Sequence, residues 1–281
     1  MSTATSWEVP GGFTNTGLCI NGDGNFAIGD WTNERIHIAN LWGDSLGEIT
    51  LEGSPPNNSV QGVAWDTLRN NYWVSHYSAE WLGTIRRYST SGELLATYPA
   101  DERQIGPNGC AYEASTDRLL VVYSGANLFS YSCVDGSLQE EIPFAQALGG
   151  QCDGLAIDPN DPSYIWVSVD ARNEVVKIHR TTGVEVASFA IGSSPENIAF
   201  MGGILHICCD RLYHDGIPNG NRVHRYTLQG VPSLVPPRPA AARPEPIVLP
   251  RSPITSAWVQ DDPLIIPPTV STAGWASVWG M

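Results

Sequence analysis

The chain has 281 residues, a formal net charge of −14 and a sequence pI near 4.7. That acidity argues against nucleic acid and anionic membrane surfaces as partners, since both are held by clustered Lys and Arg; it suits cations or neutral sugars. No apolar run approaches the roughly 18 residues of a membrane span, and the start MSTATSWEVP has neither the basic nor the apolar region of a signal peptide, so none is expected.

In chain order, the first predicted strand is Trp7-Glu8-Val9, ten residues before Gly17. From Gly17 a unit repeats. A small residue leads a short apolar run at Gly17 (GLCI), Gly62 (GVAW), Gly109 (GCAY), Gly154 (GLAI) and Asn197 (NIAF), at spacings of 45, 47, 45 and 43 residues. A period of about 40–50 residues is that of a four-stranded propeller blade. Each run is the innermost strand of its repeat. Turns such as Asn21-Gly22-Asp23-Gly24 and Asp158-Pro159-Asn160-Asp161-Pro162 follow, built of residues that tolerate or impose turn dihedrals. The first of these also looks like half of a calcium loop, but it lacks the later bidentate Glu, so a hairpin turn is expected.

The second strands are β-branched and aromatic: Phe26–Ile28, Tyr72–Val74, Leu119–Val122, Tyr164–Val167 and Ile204–Ile207. They are expected to end at Asp30, His76, Ser124, Asp170 and Asp210. Third strands are predicted at Arg35–Ile38, Thr84–Tyr88, Leu128–Tyr131, Val175–Ile178 and Val223–Tyr226, with glycine turns to the outer strand at Gly47, Gly92, Gly136 and Gly183. The fifth repeat lacks an outer strand. Val231–Val235 is one candidate, but Pro232, Pro236 and Pro237 remove ladder donors. Closure by Trp7–Val9, paired near Val223–Tyr226, is therefore expected. The reading is an all-β, five-bladed β-propeller over residues 1–230.

Six cysteines are scattered, without metal-ligand spacing. Cys19 and Cys110 are assigned one repeat position on the inner strands, as small buried hydrophobes. Cys208 and Cys209 are adjacent on one strand and so should point to opposite faces. His76, His206 and His224 are read as structural or solvated.

Residues 231–281 change character and hold 11 of the 21 prolines. Pro236–Pro253 should be extended; beyond it come Trp258, Leu264, Ile265, Ile266, Trp275 and Trp279. An arm too Pro-rich to fold alone and too apolar at its end to stay solvated is expected to anchor on partner subunits, with packing on the propeller's own flank as the alternative. Such an arm resembles those of phage virion proteins.

The segments Asp30-Trp31-Thr32-Asn33-Glu34-Arg35-Ile36 and Asp170-Ala171-Arg172-Asn173-Glu174-Val175 resemble NHL and YVTN repeats, and the chain over about residues 5–230 is more loosely similar to gluconolactonase-type calcium propellers. The residue before each inner-strand Gly or Asn shares one repeat position: Thr16, Gln61, Asn108, Asp153 and Glu196. All five should converge at one mouth of the central channel. Pro107-Asn108-Gly109 and Asp153-Gly154-Leu155 look like ligand segments of the gluconolactonase type, which implies Asn108, Asp153 and Glu196 as holders of Ca²⁺ for lactone hydrolysis. In place of that family's first-blade Glu-Gly-Pro stands Asn15-Thr16-Gly17. The other expectation for the ring is a hydrogen-bonded polar plug with no cofactor. Tyr77 and Trp81, and Arg211, Tyr213 and His214, lie in the most individual loops and are candidates for recognising a cell-surface glycan or protein receptor.

The preferred reading is a non-catalytic binding or structural module of a larger assembly, a phage fibre, adhesin or decoration protein located in the virion. A cation-dependent lactone hydrolase and a cytosolic NHL-like scaffold are the alternatives.

Overall fold

The structure, a computed structural model, describes residues 2–9, 15–53, 58–78, 83–100, 106–123, 127–143, 148, 151–191, 194–209 and 222–227. By its contacts the chain divides into Met1–Arg238 and Pro239–Met281, and every described residue belongs to the first unit. Ser124, Asp210, the expected recognition residues Trp81, Arg211, Tyr213 and His214, and the whole segment 231–281 with Trp258, Leu264, Ile265, Ile266, Trp275 and Trp279 lie outside the described residues.

The described residues form five antiparallel sheets of four strands, arranged as a β-propeller. Strand β1 (Ser2–Glu8) comes first. Blade one follows as β2 (Asn15–Ile20), β3 (Phe26–Asp30), β4 (Arg35–Ala39) and β5 (Ser45–Thr50). Blade two is β6 (Asn58–Asp66), β7 (Asn71–Ser78), β8 (Thr84–Tyr88) and β9 (Leu94–Pro99). Blade three is β10 (Pro107–Glu113), β11 (Arg118–Tyr123), β12 (Asn127–Ser132) and β13 (Leu138–Pro143). Blade four is β14 (Cys152–Ile157), β15 (Tyr164–Val169), β16 (Glu174–His179) and β17 (Glu185–Ala190). Blade five takes β18 (Pro195–Met201), β19 (Ile204–Cys209) and β20 (Arg222–Thr227) from the end of this series, and its outer strand is β1. The pairing runs from Ser2 opposite Thr227 to Trp7 opposite Val223 and Glu8 opposite Arg222, so the chain start closes the ring. The closing strand is longer than the expected Trp7–Val9, and Val9 itself falls just beyond it, buried.

Each inner strand, β2, β6, β10, β14 and β18, is an edge of its own sheet, and neighbouring inner strands touch all the way round, β18 meeting β2. The core is five apolar clusters, one per blade junction. Alternation along the inner strand feeds them. Leu18, Val63, Cys110, Leu155 and Ile198 pack toward the preceding blade; Cys19, Ala64, Ala111, Ala156 and Ala199 pack toward the following one. This corrects the cysteine expectation: Cys19 is the third residue of its run and Cys110 the second, so they serve different junctions. Cys208 and Cys209 do separate, into the junctions of blade five with blade one and with blade four.

Two turn expectations also change. Gly47 lies inside β5, not in the turn before it. The turn is Asn40–Asp44, where the Asn40 side chain accepts from the backbone N–H of Trp42 and of Asp44, both at 2.9 Å, and Gly43 takes the left-handed φ of 88°. His76 is not a strand end but lies within β7. The Asn21–Asn25 segment is a hairpin turn, with the Asn21 side-chain oxygen accepting from the N–H of Asp23 (3.1 Å) and Asn25 (3.0 Å).

Candidate functional site: the two mouths of the channel

The inner strands approach so closely that a side chain at the repeated glycine has no room. A Cβ on Gly109 would lie 2.5 Å from the Gly154 Cα, and one on Gly154 would lie 2.4 Å from the Asn197 Cα. Backbone on both sides leaves nothing that can yield. This is the physical reason for the glycine at the head of the first four runs, and it sets the residue before it, near the start of the strand, on one mouth of the channel.

At that mouth the five expected residues occupy their shared position; Thr16 and Asn108 reach into the next blade, and Asp153 and Glu196 are reached from the preceding one. Thr16 Oγ1 donates to the carbonyl of Val60 at 2.5 Å. Gln61 Nε2 makes a long contact, 3.5 Å, to Ser59 Oγ. Asn108 Nδ2 donates to the Cys152 carbonyl (3.1 Å) and to Asp153 Oδ1 (2.8 Å). The same Asp153 oxygen accepts from Gln151 Nε2 at 2.8 Å. Glu196 is half-buried, and its carbonyl accepts from Ser168 Oγ at 2.7 Å. The structure thus brings Asn108 and Asp153 into direct contact. Two amide N–H groups share one oxygen of the Asp153 carboxylate, and the Asn108 amide turns its nitrogen toward it. Among the described residues, no three His, Cys, Asp or Glu side chains converge on a common centre.

Sequence reasoning missed the groups that fasten this ring. Ser75 Oγ accepts from the Gly62 N–H (2.8 Å) and donates to the Asn108 carbonyl of the next blade. Ser168 Oγ accepts from the Gly154 N–H (2.6 Å) and donates to the Glu196 carbonyl. Cys208 Sγ accepts from the Asn197 N–H (3.2 Å) and donates to the Thr16 carbonyl (3.6 Å), closing the circle. The register puts all three at one repeat position, held in the other two blades by Gly29 and Val122. A polar residue or cysteine one or two places before the expected strand end (Ser75 before His76, Ser168 before Asp170, Cys208 before Asp210) was the available signal. Asn15, fully buried beside the mouth, was missed as well; its side-chain amide has no partner among the described residues.

On the face of this mouth, Trp31 follows β3 and Tyr77 lies in β7. Their rings stack across blades one and two at 6.1 Å between centroids and 28° between planes, with Trp31 38% exposed. Below Trp31, Asp30 is fully buried. Burial pushes its carboxyl up, but hydrogen bonds from His37, from the Asn33 side chain and from the N–H of Thr32 and Asn33 outweigh that and hold it below the usual carboxylate range. The Asp-to-Asn loop pattern is therefore a turn device that presents Trp31. Asp170 of the matching loop accepts from Ser194 Oγ.

The opposite mouth, at the strand ends, is lined mostly by apolar side chains. A cavity of about 230 Å³ opens there, lined by residues such as Trp65, Tyr112, Ile157 and Phe200. Ion pairs clamp its surroundings. Arg69 bridges Asp66 (2.9 Å) and Asp117 of the next blade (2.5 Å). Arg180 pairs with Glu113 of the preceding blade, and Lys177 meets Asp158 at 2.6 Å. Asp66 and Asp158 also accept the indole N–H of Trp73 (3.1 Å) and Trp166 (2.9 Å), a pairing repeated in blades two and four.

Among the described residues, no helix is long and apolar enough to cross a membrane. No family model matches the sequence, and no curated protein is similar to it in sequence. The fold has solved relatives in shape. The glutaminyl cyclase of Myxococcus xanthus is similar with a TM-score of 0.60 at 14% identity, over 80% of this chain and 94% of that one. A chain of the nidogen/laminin complex is similar with a TM-score of 0.52 at 14% identity, over 69% and 71%. At such identity the likeness establishes the β-propeller fold and leaves function to the site.

Proposed function

We propose that this chain is a non-catalytic binding module of a larger assembly, and that the stacked pair Trp31 and Tyr77 is the centre of its recognition face. The observation that carries this reading is the aromatic pair itself. Trp31 keeps an exposed face although the loop beneath it is pinned by four hydrogen bonds to Asp30. A rigid, exposed aromatic surface ringed by polar groups suits a neutral sugar face, and the net charge of −14 disfavours an anionic one. The polar mouth beside it is a plug that locks the blades. One of the fold's neighbours belongs to a protein–protein complex, nidogen with laminin, which agrees with a binding role in general terms.

The setting we propose is a phage virion, with residues 231–281 as the anchoring arm; its support is the sequence of that segment, proline-rich and then Trp-rich. Binding of the full-length protein to host-type bacterial cells and to their purified surface glycan tests the recognition face. Trp31→Ala should lower the affinity at least tenfold, a loss of about 1.4 kcal/mol or more, with an unchanged melting curve. Wild-type affinity in Trp31→Ala would refute it.

A second reading, a cation-dependent lactone hydrolase, rests on the contact of Asn108 with Asp153 and, at the level of fold alone, on an enzyme among the neighbours. Calcium titration with a lactone assay separates the two. The plug predicts neither calcium-dependent stabilisation nor turnover, and Asp153→Asn should then change stability only.

A further inference from the structure

The second mouth of the channel, lined mostly by apolar side chains, is shaped as a cup. Its floor comes from one repeat position filled by small residues: Cys19, Ala64, Ala111, Ala156 and Ala199. Its wall comes from the next position, filled by large ones: Ile20, Trp65, Tyr112, Ile157 and Phe200. Small beneath large, five times round, leaves about 230 Å³.

The wall is held in place before any ligand arrives. Trp65 packs edge-on against Tyr72 at 4.9 Å between ring centroids. Its indole also lies over Gly22, where a Cβ would come within 2.9 Å of the ring. Tyr112 is tethered by its hydroxyl to Asp117 Oδ1 at 3.0 Å. Among the described residues that line the cavity none is charged, and the side-chain hydroxyls are those of Thr67 and Tyr112.

We propose that this cup binds a small, uncharged aromatic molecule carrying one N–H or O–H group, of the size of indole. The size follows from volume: an apolar cavity of about 150 Å³ takes up benzene, and this one has room for a second fused ring. The absence of charge follows from the lining, where an ionised group would lose its hydration and find no counter-ion. The single polar handle follows from topology. Every inner strand is a sheet edge, so alternate backbone groups face the channel without a ladder partner, and a carbonyl among them can accept one hydrogen bond. This site lies at the far end of the strands from the polar ring and does not depend on the recognition face.

Isothermal titration of the full-length protein with indole, and separately with benzoate, tests the proposal. Indole should bind saturably, benzoate at least ~10-fold more weakly, a difference of about 1.4 kcal/mol. Ala111→Leu and Ala156→Leu, which fill the floor, should each weaken indole at least ~10-fold. If these variants do not fold, the wild-type protein still decides: indole must raise its melting temperature in a concentration-dependent way, and benzoate must not. No indole binding up to the millimolar range, equal binding of indole and benzoate, or wild-type affinity in a folded, filled variant would each overturn it. A cup that takes up no free aromatic molecule but is covered by a partner's side chain would appear as the first of these.

Discussion

Ser75, Ser168 and Cys208 each join the head of one inner strand to the next, so a single hydroxyl or thiol ties two blades. Removing the oxygen strands a buried N–H and a buried carbonyl together. Ser75→Ala and Ser168→Ala should therefore each cost about 1–3 kcal/mol, measured by urea unfolding. Ser75→Cys should cost less, because blade five uses a thiol in the same place. A second prediction concerns two buried histidines. His76 bonds Tyr88 (3.2 Å) and His206 receives Arg225 Nε (3.3 Å). Burial first, then the neighbouring Arg86 or Arg225, pushes each imidazole down to about 3. An unfolded histidine titrates near 6.5, so between those values the unfolded chain takes up protons that the folded one refuses. Stability should fall as the pH drops below about 6.5, by roughly 1.4 kcal/mol per pH unit for each histidine, and level off near 3. The depressed carboxylates Asp30, Asp117 and Asp158 act only at lower pH, as they begin to protonate. Unfolding midpoints at pH 7 and pH 5 check this, and His206→Gln should flatten the slope.

At the scale of elements, β1 decides whether the ring is closed. Six of its residues pair with β20. Trp7 packs on Phe26 of blade one at 5.4 Å, and Arg222 Nε donates to Ser6 Oγ at 3.0 Å. Deleting residues 1–8 removes a whole outer strand and one wall of a junction. The melting temperature should drop by about 10 °C or more, since each kcal/mol shifts it by roughly 2–4 °C in a domain of this size. The bared edge of β20 should also promote association between molecules, visible by light scattering. An unchanged melting temperature would contradict the closure. The strand that matters most for closing the ring is thus the one farthest in sequence from its partner.

For the molecule as a whole, the twenty strands among the described residues end by Thr227. Every junction cluster draws on residues up to Tyr226. A chain truncated after Gly230 should therefore remain a folded, soluble, monomeric propeller, with a melting temperature within a few degrees of the full chain. In the assembly we propose, it should no longer join its partners. Sedimentation of both forms with the partner particle checks this, and wild-type assembly by the truncated form would remove the case for an anchoring arm.

The sequence by itself determined the blade number, the strand order and the closing strand. The reason is local and periodic. A backbone approach that admits no Cβ repeats at Gly17, Gly62, Gly109 and Gly154, and β-branched runs between turn residues admit few alternatives. It also placed Thr16, Gln61, Asn108, Asp153 and Glu196 at one repeat position, because position in a repeat is position round the channel. What those side chains hold, only the tertiary structure decided. Thr16 reaches a carbonyl 44 residues away, and Asn108 meets an aspartate 45 residues away. Nothing within a single blade announces these partners. The Ser75 and Ser168 ties, the stack of Trp31 on Tyr77 and the apolar cup were likewise hidden, since each exists only where neighbouring blades meet. A repeat specifies its own strands; the contacts between repeats belong to the ring.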